Sequence, residues 1–74
     1  MSFTLPKNVK VNVSIFNIKG QKVTTLKSEY MTAGDHSVVW NGNDETGKMV
    51  SSGVFFYKVE TNHETVTGKM LLLK

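Results

Sequence analysis

Oxygen-bearing side chains in the middle of the chain are the first candidates for chemistry. Residues 41–47 supply them from Asn41, Asn43, Asp44 and Glu45. Amide and carboxylate oxygens are the ligands that Ca²⁺ prefers, but here the acidic residues are adjacent and no glutamate follows at the twelfth position of an EF-hand loop. Asn-Gly and Thr-Gly pairs are also ordinary turn sequences. Two interpretations therefore stay open, a plain connecting loop and a weak calcium site.

Histidine and serine side chains come next, because they serve in acid–base and nucleophilic catalysis. His36 shares its predicted strand face with Trp40, which favours a packed, partly buried imidazole. His63 falls in a predicted turn and is expected to be solvated. Residues 51–53, Ser-Ser-Gly, are not followed by a helical pattern, so the strand-to-helix elbow of a hydrolase is missing. We therefore expect no enzyme, no cofactor, no small-molecule substrate and no metal site beyond the weak calcium alternative at residues 41–47.

Aromatic residues are the third candidate, as a platform on which sugar rings could stack. They are Trp40, Phe55, Phe56 and Tyr57. Neighbouring residues of a strand point to opposite faces, so only part of this set can lie in the core. Phe56 is the candidate for an exposed ring, and a carbohydrate-binding accessory module is one functional alternative. In so small a chain, aromatic side chains that form the core itself are the favoured interpretation.

The end of the chain is its most unusual surface feature. It reads Lys69, Met70, Leu71, Leu72, Leu73 and Lys74. In a strand these apolar side chains point to both faces, and one face can belong to the core. On the other face, Leu71 and Leu73 are either covered within the domain or exposed. An exposed apolar strand invites partner docking or edge pairing.

Alternating apolar and polar residues predict strands throughout, and no long helical pattern occurs. Turn residues follow one another at short, regular spacing, which predicts an all-β fold, a small antiparallel β-sandwich. The apolar positions of the alternation define the predicted core. Its members are Val11, Val13, Ile15, Val23, Leu26, Val38, Trp40, Phe55, Tyr57, Val59, Met70 and Leu72.

The composition of the 74-residue chain indicates one small domain. It contains no cysteine, so disulfides are excluded and stability must come from apolar packing and the strand ladder. Nine scattered lysines without arginine give a net charge of +3, which argues against nucleic-acid binding. No apolar run approaches a membrane span, and no signal peptide is recognisable. Met1 and Ser2 before a strand-like segment suggest an expression start on a fragment excised from a larger protein.

Several short motifs follow one another in order over nearly the full length of the chain. They are residues 3–6 (FTLP), 13–17 (VSIFN), 20–23 (GQKV), 33–34 (AG), 40–42 (WNG), 52–58 (SGVFFYK) and 69–74 (KMLLLK). Together they resemble the type A C-terminal sorting domains of the type IX secretion system, which are close to the immunoglobulin-like domain of flagellar hook-capping proteins. The chain departs from this pattern at Phe16 and Phe55, where tyrosine is usual, and at Gly68, where lysine is more usual.

This resemblance implies that residues 1–74 form a single immunoglobulin-like β-sandwich of about seven strands. It would be a non-catalytic sorting signal of a larger exported protein, recognised by the outer-membrane secretion machinery and cleaved by a sortase-like peptidase. The parent protein would be secreted or held at the cell surface after passing through the periplasm.

The resemblance also assigns roles to residues. Recognition by the secretion machinery would rest on residues 69–74. The core, by contrast, is predicted from the alternation itself, with Val13, Ile15, Trp40, Phe55 and Tyr57 at its centre. The isolated domain is expected to be a monomer. The alternative function within the same resemblance is a structural module that takes part in assembly, as in hook capping.

Overall fold

The computed structural model describes residues 1–73 and contains six β-strands and no helix within them. The strands are β1 (Ser2–Leu5), β2 (Val9–Asn17), β3 (Lys22–Met31), β4 (Gly34–Ser37), β5 (Gly53–Glu60) and β6 (Thr65–Leu72). They form two antiparallel sheets, a two-stranded β1–β4 sheet and a four-stranded sheet in the order β3-β2-β5-β6. The all-β prediction is confirmed, whereas the expected number of about seven strands was too high.

The strand predicted across His36 and Trp40 ends earlier than the sequence pattern indicated. In the structure β4 ends at Ser37, and residues 38–52 form a long connection from the small sheet to the large one. Gly42 lies in this connection with φ of +84°, a left-handed conformation that ends any regular alternation and that glycine adopts at no steric cost. A single isolated bridge between Asn43 and Met49 is the only ladder contact described within it.

The hydrophobic core lies between the two sheets, on the inner face of β2. Val11, Val13 and Ile15 have no solvent exposure at all, as expected for alternate residues on the covered face of a strand. Leu5 from β1, Val38 after β4 and Val59 from β5 pack with the valines of β2 in one cluster. Phe55 of β5 is also buried.

The residues expected to organise the core are therefore not equally covered. Val13, Ile15 and Phe55 are buried, whereas Trp40 and Tyr57 are half-buried. Tyr57 packs against the central core cluster, and Trp40 packs against Phe55 from the connection 38–52.

Candidate functional site

The outer edge of β6 is the first candidate for a binding site. This strand pairs with β5 alone, in a register that runs without interruption from Gly53–Leu72 to Glu60–Thr65. Its other side faces no strand within residues 1–73. Alternate N–H and C=O groups of an antiparallel edge strand point outward, so this side can accept a further strand.

One face of β6 is part of the domain's own packing. Met70 lies opposite the buried Phe55, and Leu72 lies opposite Gly53. A Cβ atom placed on Gly42 would be 3.4 Å from Leu72 Cδ2, so the connection 38–52 covers this leucine. Met70 and Leu72 are accordingly half-buried.

Gly68 belongs to the same inner face, and its lack of a side chain has a clear use. It is the cross-strand partner of Tyr57, and the Tyr57 ring occupies the space that a Cβ atom on Gly68 would fill. An aromatic ring folded over a strand glycine shields its bare backbone. This contact accounts for glycine at the position where the sorting-domain pattern more usually has lysine.

The other face of β6 points to solvent. Leu71 is 64% exposed and Leu73, just after the strand, is 77% exposed, and Lys69 is also exposed. Lys74 lies outside the described residues. Within the segment taken from the resemblance as a recognition segment, residues 69–72 thus contribute both packed and exposed side chains to a single edge strand.

The exposed side of β6 continues across the outer face of the large sheet. Lys69 is the cross-strand partner of Phe56, and Leu71 is the partner of Val54. Phe56 in turn pairs with Phe16 of β2. Because paired residues share a face, Phe16 and Phe56 form an apolar row that ends at Lys69, beside the apolar pair of Val54 and Leu71.

The opposite edge of the sheet, β3, has a different character. Its pairing with β2 is interrupted by register shifts between Val13 and Ser14 and between Ile15 and Phe16. On this strand, Lys27 Nζ lies 3.2 Å from Glu29 Oε1, and the two side chains form an ion pair. Bulges and charged side chains are the usual protection of an edge strand against pairing. Of the two edges, β6 is therefore the one that remains open.

The 41–47 segment is shaped by its own hydrogen bonds. Asp44 Oδ1 accepts from the Thr46 N–H at 2.9 Å, from the Thr46 hydroxyl at 2.7 Å and from the Lys48 N–H at 3.1 Å. The Thr46 hydroxyl bond, with the backbone bonds in support, lowers the pKa of Asp44 below its ordinary value of 3.8. One carboxylate oxygen is thus already committed to the turn. Within residues 1–73 no group of three or more acidic, histidine or cysteine side chains could hold a metal ion.

The aromatic residues do not gather on one surface. Trp40 packs edge-on against Phe55, with ring centroids 5.0 Å apart, and its indole N–H donates to the Asn43 carbonyl at 2.9 Å. These contacts attach the connection 38–52 to β5. Phe56 points to the opposite face and is 36% exposed. The aromatic rings therefore lie on two different faces of the sheet, and most of them contribute to packing within the domain.

His36 is positioned by packing and one hydrogen bond. Its half-buried ring stacks on Phe3 with centroids 5.8 Å apart, and Nε2 lies 2.6 Å from the Thr32 carbonyl. A carbonyl oxygen only accepts, so Nε2 carries the hydrogen and donates.

No helix in the described part of the chain is long and apolar enough to span a membrane.

Two antiparallel sheets around a shared apolar core form a small all-β domain, in which the polar side chains mostly hold turns. The profile of the FlgD Ig-like domain family matches residues 1–65, and the chain belongs to this family. No curated protein and no solved structure matches the chain. The family match supports the predicted relation to hook-capping domains, and the comparisons contain no support for a type IX sorting domain.

Proposed function

We propose that this domain is a non-catalytic structural module that brings its parent protein into a larger protein assembly. The observation that carries the proposal is membership of the FlgD Ig-like domain family over residues 1–65. Because one fold hosts many functions, the proposal also needs support from a binding site. It does so through β6, whose open edge and exposed Leu71 offer backbone and side-chain contacts to a protein.

Three polar side chains with hydrogen bonds inside the domain support the same proposal. Asp44 accepts hydrogen bonds from its own turn, and His36 binds a carbonyl of the neighbouring segment. Asn17 does the same between β2 and β3, where Oδ1 accepts from the N–H groups of Lys19 and Gln21. These groups stabilise loops, as expected for a domain with a structural function.

Deletion of the coding region for residues 1–74 from the parent gene tests this proposal. An assembly module predicts that the parent protein is still made and still reaches its compartment, but elutes as a free subunit instead of in a large complex. Size-exclusion chromatography of native extracts, with immunoblotting of each cell fraction, measures both properties. A complex of unchanged size would contradict the proposal.

The second candidate is the sorting signal, and one observation favours it. The exposed Leu71 and Leu73 lie in the segment beyond residue 65, outside the family match. Here the partners would be the outer-membrane secretion machinery and a sortase-like peptidase, and the parent protein would be secreted or surface-bound. A reporter fused to residues 1–74 in a bacterium with the type IX pathway tests it. Export that is absent, or that persists after removal of residues 70–74, would contradict the sorting interpretation.

A further inference from the structure

We infer that β6 binds an extended acidic strand of a partner protein, which joins the four-stranded sheet as a fifth strand. The inference rests on the proposed function and specifies the chemistry of the partner. Strand addition is a common mode of protein recognition, in which backbone hydrogen bonds give affinity and alternate side chains give specificity.

The first step of the argument is the contrast between the two edges of the sheet. The β6 strand is eight residues long and keeps an unbroken register with β5 along all of them. It has no bulge and no proline. The β3 edge carries two register shifts and the Lys27–Glu29 ion pair. Of the two edges of the four-stranded sheet, β6 is therefore the one that offers an incoming strand a regular ladder.

The second step concerns charge. Lys69 is the only charged residue of β6, and it makes no ion pair within residues 1–73. The nearest strand offers no spare acid, because Glu60 lies 4.0 Å from the ammonium group of Lys58. A carboxylate directly opposite Lys69 would be stabilising, and a second lysine there would be destabilising. This favours an acidic partner over a second copy of the same strand.

The third step gives the pattern that the partner must show. Lys69 and Leu71 are two residues apart and share the outer face of the sheet. Leu71 is 64% exposed, so an apolar side chain opposite it would cover surface that the domain leaves open. The partner strand should therefore carry an acidic residue and an apolar residue two positions apart, on one face.

A peptide display experiment tests this inference directly. Random dodecapeptides are selected against folded residues 1–74 and against two variants, Lys69→Glu and Lys7→Glu. Each variant lowers the formal net charge of +3 by two, but Lys7 lies in the turn before β2. We expect the wild type and Lys7→Glu to enrich acidic and apolar residues two positions apart, and Lys69→Glu to lose the acidic preference.

Measurements with the best enriched peptide complete the test. Its affinity should fall at least about threefold for Lys69→Gln, the loss expected for one cross-strand charge pair. Amide chemical-shift changes should follow β6 and not β3. The inference is overturned by a lack of enriched peptides, by equal binding to all variants, by shifts centred on β3, or by dimers of the chain along β6. None of these outcomes bears on the deletion of the domain from its parent, which tests the proposed function separately.

Discussion

At the scale of single residues, the side chains that looked most able to do chemistry hold the fold together. Asp44 closes the 41–47 turn, and Trp40 attaches the long connection to Phe55. The Tyr57 ring covers Gly68 and thereby protects the backbone of the edge strand. Two of these contacts give predictions that measure their strength.

Asp44 makes stability depend on pH. Its pKa is lowered in the folded protein, chiefly by the Thr46 hydroxyl, so the ionised form stabilises the fold. That contribution is complete above the ordinary value of 3.8 and is lost as the pH falls through the lower folded value. We expect wild-type melting temperatures to drop more steeply than those of Asp44→Asn below about pH 4. Parallel curves for the two proteins would show that Asp44 contributes nothing.

Substitution of Gly68 should destabilise the fold because of the neighbouring Tyr57 ring, and not because of the backbone conformation of Gly68. An added methyl group would displace the Tyr57 ring, so Gly68→Ala should lower the free energy of unfolding by about 1–2 kcal/mol. The matched control is Gly53→Ala, at a strand glycine whose Cβ would meet nothing within 4 Å. Urea denaturation compares them, and we expect the control to be neutral or more stable by up to about 1 kcal/mol. Equal losses at the two sites would contradict the role given to Tyr57.

At the scale of elements, β6 has two roles, and they fall on opposite faces because side chains alternate along a strand. Its inner side chains close the core beside β5, and its outer side chains and free backbone remain open to a partner. A substitution can therefore remove one role and leave the other. Neighbouring leucines make this test possible.

Leu72 and Leu71 should differ sharply when each is replaced by alanine. Leu72 is half-buried against the connection 38–52, so Leu72→Ala should cost about 1–2 kcal/mol of unfolding free energy. Leu71 is 64% exposed, and Leu71→Ala should change stability by less than about 0.5 kcal/mol. Thermal or urea unfolding measures both. A larger loss at Leu71 would mean that its side chain is covered within the domain.

At the scale of the whole molecule, a chain of 74 residues without cysteine depends on every strand of its larger sheet. Domains of this size bury only about 60% of their unfolded surface, and their stability is marginal. The family match ends at residue 65, where β6 begins. The matched stretch is therefore shorter than the unit that we expect to fold.

Truncation tests that expectation. A chain that ends at residue 64 loses β6, exposes one side of Phe55 and turns β5 into an unprotected edge. We expect it to show no cooperative thermal transition by circular dichroism. Removal of residues 73 and 74 alone, beyond the end of β6, should leave the transition within a few degrees of the original. A cooperative transition in the shorter chain would show that β6 is dispensable for folding.

The sequence by itself determined the all-β class, the inner face of β2 and the hairpin turn between β5 and β6. These follow from local rules, since alternation assigns Val11, Val13 and Ile15 to one face and polar residues after Glu60 end a strand. Alternation predicted that the strand containing His36 would reach Trp40, but β4 ends at Ser37, and the indole bonds to Asn43 and packs on Phe55 instead.

Only the tertiary structure decided which strands form the edges of the sheet. A sequence pattern shows that Leu71 and Leu72 point to opposite faces, but strand order fixes whether a partner strand flanks them. That order results from contacts between residues far apart in the chain, such as β2 with β5. The openness of β6 is a consequence of this long-range pairing.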